Sequence, residues 1–149
     1  MNSLTFYERL FSVIYIHSSL KSNPLVKKVL ERLPSVPVCH IDDKNEIPAE
    51  HLNARTLFMS VPRASILNRC PGSKGHICCN YLTIDLYEGC TLGCTYCIMK
   101  SYLNFAPVTV HFDGGESIQR VCRLAADNPE KTIRVGTGEV GDSDRKSVV

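Results

Sequence analysis

Apolar residues in the first third of the chain form two short runs separated by one helical stripe. Residues 11–16 are β-branched and aromatic, which predicts a buried strand. Asn23 and Pro24 then supply an N-cap and a proline at the first helical position, and an apolar stripe of helical spacing continues to Leu33. A second extended run covers residues 36–41. Strand, helix and strand within about 30 residues predict a βαβ unit with a parallel sheet.

The rest of the chain predicts one further helix and four further strands. The helix is expected over 117–127, with Asp113 capping its start. Its apolar side chains, which the pattern predicts to face inward, are Ile118, Val121, Cys122 and Leu124. The strands are expected at 56–61, 82–87, 108–112 and 132–135, with an irregular segment at 63–80.

The composition is that of an ordinary globular domain. The 149 residues are 44% hydrophobic and 21% charged, which excludes a disordered or fibrous chain. A formal net charge of +2 provides no strong field that would dictate a charged partner. The cysteine count of eight is less ordinary and calls for disulfides, a metal site or chance.

No segment of the sequence predicts secretion or membrane insertion. Residues 11–16 are too few for a secretory apolar region of roughly 7–15 residues or for a membrane helix of about 20. We therefore expect a cytoplasmic protein with no membrane partner. Disulfides are rare in that compartment, so clustered cysteines favour metal binding or catalysis.

Three cysteines lie close together in one loop. Cys90, Cys94 and Cys97 are separated by three and then two residues, in a segment that follows a predicted strand. Three thiolates at this spacing can hold an iron–sulfur cluster and leave one iron open to a small molecule. Gly89 and Gly93 allow the backbone to fold tightly around such a group.

The alternative is a zinc-binding interaction module. Zinc prefers four ligands, and a fourth would have to come from a histidine or from Cys70, Cys78 or Cys79. The five histidines show no ligand spacing and are expected to be structural or exposed. Cys39 and Cys122 fall in a predicted strand and helix and are expected in the core.

The cysteine motif, with Tyr96 just before its last cysteine, resembles the radical S-adenosylmethionine (SAM) superfamily. The resemblance implies that Cys90, Cys94 and Cys97 ligate a [4Fe–4S] cluster whose fourth iron binds SAM. Electron transfer then cleaves SAM to a 5′-deoxyadenosyl radical that abstracts hydrogen from the substrate. Tyr96 would pack near the adenine.

The superfamily also has a glycine-rich turn after the next strand, which meets the SAM amino group. The matching residues here follow the predicted strand 132–135 and are Gly136, Thr137, Gly138 and Glu139.

The order and spacing of the segments 13–38, 55–61 and 82–102, followed by this turn, are similar to the spore photolyase-like family. That narrower resemblance implies a lyase that repairs a thymine dimer, with DNA and an electron donor such as flavodoxin or ferredoxin as partners. The chain departs from the family at Gly136, where a hydrogen-donating cysteine is expected, and at Ile98, where a tyrosine is expected. Both departures concern lesion repair rather than SAM cleavage.

The resemblance also predicts the domain organisation. Residues 1–80 are expected to form a small N-terminal α/β layer, and 81–143 the start of a partial (β/α)6 barrel that is truncated here. One back-translation of residues 144–149 resembles a common sequencing-library adapter, so we expect a non-native tail. On this interpretation the chain is a fragment of a radical SAM enzyme, and an alternative expectation is that this fragment is itself catalytically inactive.

Overall fold

The computed structural model describes residues 8–70, 75, 81–92 and 94–137. Within them the chain combines two α-helices with eight strands, several of which pair in parallel, so the predicted α/β class is confirmed. The elements are β1 (Val13–His17), α1 (Pro24–Glu31), β2 (Val38–Ile41), β3 (Thr56–Ser60), β4 (Leu67–Arg69), β5 (Leu82–Ile84), β6 (Tyr87–Glu88), β7 (Val108–His111), α2 (Glu116–Ala126) and β8 (Val135–Thr137).

The larger sheet has the strand order β2-β1-β3-β7-β6. The first four strands are mutually parallel, and β6 runs antiparallel to β7 at the edge. β1, α1 and β2 form the predicted βαβ unit, and Ile14 lies opposite Val38 in the register. Asn23 caps α1 as expected, because its side-chain oxygen accepts the Leu25 N–H at 2.9 Å.

Both faces of β1 are buried, which explains its continuous apolar run. On one face Ile14 and Ile16 are fully buried and pack in a cluster with Val26 of α1. On the other face Val13 and Tyr15 belong to a second cluster with residues such as Ile41 and Phe58. Because side chains alternate along a strand, consecutive apolar residues of β1 belong to two different core clusters, one on each face of the sheet.

A smaller sheet has the order β4-β5-β8. β5 and β8 are parallel, as the resemblance implied for the first two strands of a barrel. β4 lies in the segment 63–80 that was predicted to be irregular, and that prediction is wrong for Leu67–Arg69. The strand is too short and polar to show a pattern; its antiparallel pairing with β5 satisfies its backbone and defines it.

The strand predicted over 82–87 is two strands in two sheets, so the single-strand prediction is also wrong. The chain turns at residues 85 and 86, where the Asp85 N–H bonds to the Ile66 carbonyl at 2.9 Å and the Leu86 N–H bonds to the Ile84 carbonyl at 3.1 Å. β5 therefore stays with β4 and β8, while β6 joins the larger sheet. Apolar alternation alone cannot locate such a bend, because both strands continue the same pattern.

Helix α2 begins close to its predicted start, after Asp113. The Asp113 carboxylate accepts the Gly115 and Ser117 N–H groups, both at 2.9 Å. Burial by itself would raise the pKa of Asp113, but these hydrogen bonds outweigh it and hold the pKa below its usual value.

The apolar face of α2 does not point into a core, contrary to the prediction. Ile118 is 56% exposed and Leu124 is 40% exposed, whereas Ser117 is buried. Arg120 in the second turn donates to the Ser65 hydroxyl at 2.7 Å, Val121 is half-buried, and residues 122–127 are exposed. Amphipathic spacing predicts which side chains share a face but not whether another element covers that face.

Strands from both predicted domains share the larger sheet. β6 and β7 come after residue 80, and β7 pairs with β3 from Leu57 opposite Val108 to Ser60 opposite His111. The division at residue 80 stays a prediction. None of the helices in the described ranges is long and apolar enough to cross a bilayer.

Candidate metal and cofactor site

The cysteine loop connects the edge strand β6 to β7. Cys90 follows β6 after Gly89, whose φ of 88° lies in the left-handed region. A Cβ added at Gly89 would approach the Val108 Cα to 3.3 Å, so both the conformation and the close packing favour glycine there. Cys97 precedes a short 3₁₀ turn, Ile98–Ser101. The loop is thus anchored at its start by contact with β7.

The three motif cysteines have free, half-buried thiols. The Leu92 N–H points at the Cys90 Sγ at 3.5 Å, and the Cys97 N–H bonds to the Cys94 carbonyl at 3.3 Å. The thiolate is the form of cysteine that binds metal. Tyr96 is 89% exposed and is therefore available to a ligand.

The chemistry of this donor set fits an iron–sulfur cluster. Three free thiols come from one short loop, and thiolates are the ligands that such clusters use. Within the described ranges, no three His, Cys, Asp or Glu side chains are grouped around the position of a single metal ion. The structure does not bring the three motif thiols together around one ion position, and their fit to a cluster rests on their residue type and their spacing in the sequence.

The other cysteines lie away from the motif or outside the described residues. Cys39 in β2 and Cys122 in α2 are exposed, so the prediction that they belong to the core is wrong. β2 is an edge strand in which Val38 and His40 are exposed as well, and periodicity does not show that a strand lies at the edge of a sheet. Cys70 is half-buried and free, and Cys78 and Cys79 fall outside the described residues.

The proposed SAM-binding turn is described only in its first half. Gly136 and Thr137 are strand residues of β8, so the strand predicted at 132–135 begins and ends later than expected. In the register Gly136 lies opposite Thr83, and Thr137 lies opposite Ile84. Gly138 and Glu139 lie outside the described residues.

The space beside Gly136 is occupied by the side chain of Tyr81, which immediately precedes β5. A Cβ at position 136 would overlap the hydroxyl oxygen and Cζ of Tyr81. The tyrosine ring therefore occupies the space that any larger residue at 136 would need. Glycine is required here for close approach, whereas its φ is not in the left-handed region.

Gly136→Ala is expected to destabilise the chain by about 1–3 kcal/mol, because the Tyr81 ring must leave its position. Urea unfolding of the variant measures the effect. In the Gly136→Ala background, Tyr81→Ala should restore part of the lost stability, and Tyr81→Phe should restore less because Cζ remains. If each double variant lost the sum of the stability losses of its two single variants, the two residues would not compete for space.

Two polar side chains near the end of β5 carry buried oxygens that the sequence did not single out. The Thr83 hydroxyl and the Asp85 Oδ1 are buried and have no hydrogen-bond partner among the described residues. The Asp85 Oδ2 accepts the Asn68 amide at 3.2 Å. Asp85 lies in the turn that follows β5, so the alternation of side chains along the strand does not place it beside Thr83.

The described arrangement of helices and strands is similar to that of solved structures. The solved structures it matches are of spore photoproduct lyase. One is a complex with a dinucleoside spore photoproduct, at a TM-score of 0.69, and the other is a point variant, at 0.68.

Both likenesses rest on 19% identity over 89% of this chain. The chain spans 41% of the length of each of those proteins. None of the protein-family models matches the sequence, and none of the curated proteins does. The likeness therefore establishes the fold, and it confirms the fold that the resemblance in the sequence predicted.

Proposed function

We propose that this protein is a radical SAM enzyme of the spore photoproduct lyase kind. The observation that carries the proposal is the coincidence of that fold with three free thiols, Cys90, Cys94 and Cys97, on one loop. Neither alone would suffice, since folds host many functions and short cysteine motifs also bind zinc.

The three cysteines would hold the [4Fe–4S] cluster. When bound together with SAM, such a cluster supplies the one-electron chemistry that yields a 5′-deoxyadenosyl radical. Gly89 brings the start of the loop against β7, and the Leu92 N–H is directed at the Cys90 sulfur.

SAM would be oriented by the cysteine loop and by the end of β8. Tyr96 presents an exposed ring against which an adenine can pack. Gly136 and Thr137 extend β8 beside β5, and parallel strands present their carboxyl ends at one edge of a sheet. From the sequence we assign Gly138 and Glu139 to the ammonium of SAM, because a carboxylate favours a cation.

The substrate we propose is a thymine photoproduct in DNA, acted on in the cytoplasm with flavodoxin or ferredoxin as electron donor. The solved relative is bound to a dinucleoside photoproduct. In this chain Gly136 replaces the expected hydrogen-donating cysteine and Tyr81 covers the position, so another group must return hydrogen to the product.

Anaerobic reconstitution with iron and sulfide tests the proposal. The protein should acquire the broad visible absorbance of an iron–sulfur cluster, and addition of SAM and a reductant should yield 5′-deoxyadenosine. Cluster assembly without 5′-deoxyadenosine would identify the inactive fragment predicted from the sequence. Stoichiometric zinc in the purified protein, with no cluster formed, would instead establish the zinc-binding module.

A further inference from the structure

A crevice of about 410 Å³ lies at the carboxyl edge of the larger sheet. It is lined by the last residues of β1, β3 and β7, which are His17, Ser60 and His111, and by residues that follow β2. The chain passes from β1 outward to β2 and then returns across β1 to β3, so the strand order reverses here. Open parallel sheets bind ligands at this kind of reversal.

The floor of the crevice is aromatic. Phe58 of β3 is 5% exposed, and its ring meets that of Phe105 edge to face, with 6.1 Å between centroids. The Lys44 ammonium lies 5.4 Å from the Phe105 centroid, so one face of this ring is already in contact with a polar group at the opening. A flat ring of a ligand can pack against such a floor.

One wall is a chain of hydrogen bonds across three neighbouring strands. The Ser60 hydroxyl and the His111 Nδ1 are 2.8 Å apart, and the His111 Nε2 lies 3.4 Å from the Glu88 carboxylate. Ser60 is 7% exposed, and the His111 side chain is 15% exposed. Buried polar groups held in this way have fixed directions, which is what recognition of a polar ring edge requires.

The charges along the crevice disfavour a phosphate. Asp42, Asp43 and Glu88 contribute three carboxylates, and the two cationic side chains are Lys44 and Arg63. Arg63 is paired with Asp43. A hydrogen bond from the Asn45 N–H, with Arg63 assisting, holds the pKa of Asp43 below its usual value, so this group stays a carboxylate. Carboxylates accept hydrogen bonds from hydroxyl and amine donors.

We propose that this crevice binds a nucleoside: an uncharged nitrogen heterocycle that carries a hydroxylated sugar and no phosphate. The heterocycle packs against Phe58 and Phe105, and its polar edge meets the Ser60 hydroxyl, which the hydrogen bond with His111 holds in place. Sugar hydroxyls donate to the carboxylates at the rim. Phe105 lies on the same β6–β7 connection as the motif cysteines, but Cys90, Cys94 and Cys97 do not line the crevice. The proposal does not rest on the function proposed above.

Calorimetric titration of the full chain with adenosine, thymidine and their 5′-monophosphates tests this site. At least one nucleoside should bind with a Kd below roughly 1 mM, and its monophosphate should bind at least about tenfold more weakly. Absence of saturable binding of either nucleoside up to roughly 10 mM would overturn the proposal, as would equal affinity for the monophosphate.

The chain offers a matched pair of histidines for the control. His51 resembles His111, because its Nδ1 also bonds a hydroxyl, that of Tyr15 at 2.6 Å, but it does not line the crevice. His111→Gln should weaken nucleoside binding at least about tenfold, and His51→Gln should leave it unchanged. Equal effects of the two substitutions would contradict the assignment.

Two further variants are controls. One tests the rim carboxylates without disturbing the fold, and the other tests whether the nucleoside binds at the cysteine loop. Asp42 is exposed, so Asp42→Asn should leave the fold intact and reduce discrimination against the monophosphate at least about threefold. Unchanged discrimination would refute the role given to the rim carboxylates. Cys94→Ala should leave nucleoside binding unchanged; its loss would place the nucleoside at the cysteine loop instead.

Discussion

Cys94→Ala is expected to abolish cluster assembly in the reconstituted protein and to lower 5′-deoxyadenosine formation at least about 100-fold. The middle cysteine of the motif supplies one of three thiolates on the loop, and two cannot replace three around a cube that must leave one iron open. Iron and sulfide content, visible absorbance and product formation measure the effect.

Cys122→Ala is the matched control for that substitution. Cys122 is also a free thiol but is exposed on α2 and does not belong to the motif. It should leave iron content and product formation at the level of the unchanged protein. If Cys94→Ala retained a full cluster, or if both variants lost it equally, the assignment of the motif would be wrong.

Ile16→Ala is expected to have the largest effect on stability. Ile16 is fully buried in β1, between β2 and β3, and its removal leaves a cavity against α1. Substitutions of this kind cost about 2–5 kcal/mol, a large part of the roughly 5–15 kcal/mol by which a domain is stable. Denaturant unfolding followed by circular dichroism should show a much earlier midpoint.

Leu25→Ala provides the comparison for Ile16→Ala. Leu25 is apolar and lies in the first turn of α1, but it is 57% exposed. Its substitution should change the free energy of unfolding by less than about 0.5 kcal/mol. A loss similar to that of Ile16→Ala would mean that α1 packs differently from the arrangement described above.

Local signals in the sequence were sufficient for the βαβ unit. Each of these signals involves only residues that are close in the sequence, so it can be recognised without knowing the rest of the fold. They are the buried apolar run of β1, the Asn23 cap and the proline at the start of α1. The parallel pairing of β1 with β2 follows from the intervening helix.

Burial of helix and strand faces was not predictable in the same way. Ile118 and Leu124 have the spacing of a core face, and yet they are exposed, because what covers a face depends on elements elsewhere in the chain. The bend between Ile84 and Tyr87 has the same origin, since a hydrogen bond from Asp85 to the distant Ile66 carbonyl diverts the strand. Periodicity carries no information about such long-range partners.

The sequence by itself determined the candidate chemistry of the cysteine loop, because Cys90, Cys94 and Cys97 are close in the chain and their spacing alone limits which groups they can hold. Only the tertiary structure placed Tyr81 over Gly136 and joined Ser60, His111 and Glu88 in one wall of a crevice. The last three come from separate segments, and the pairing of β3, β7 and β6 is what brings them together.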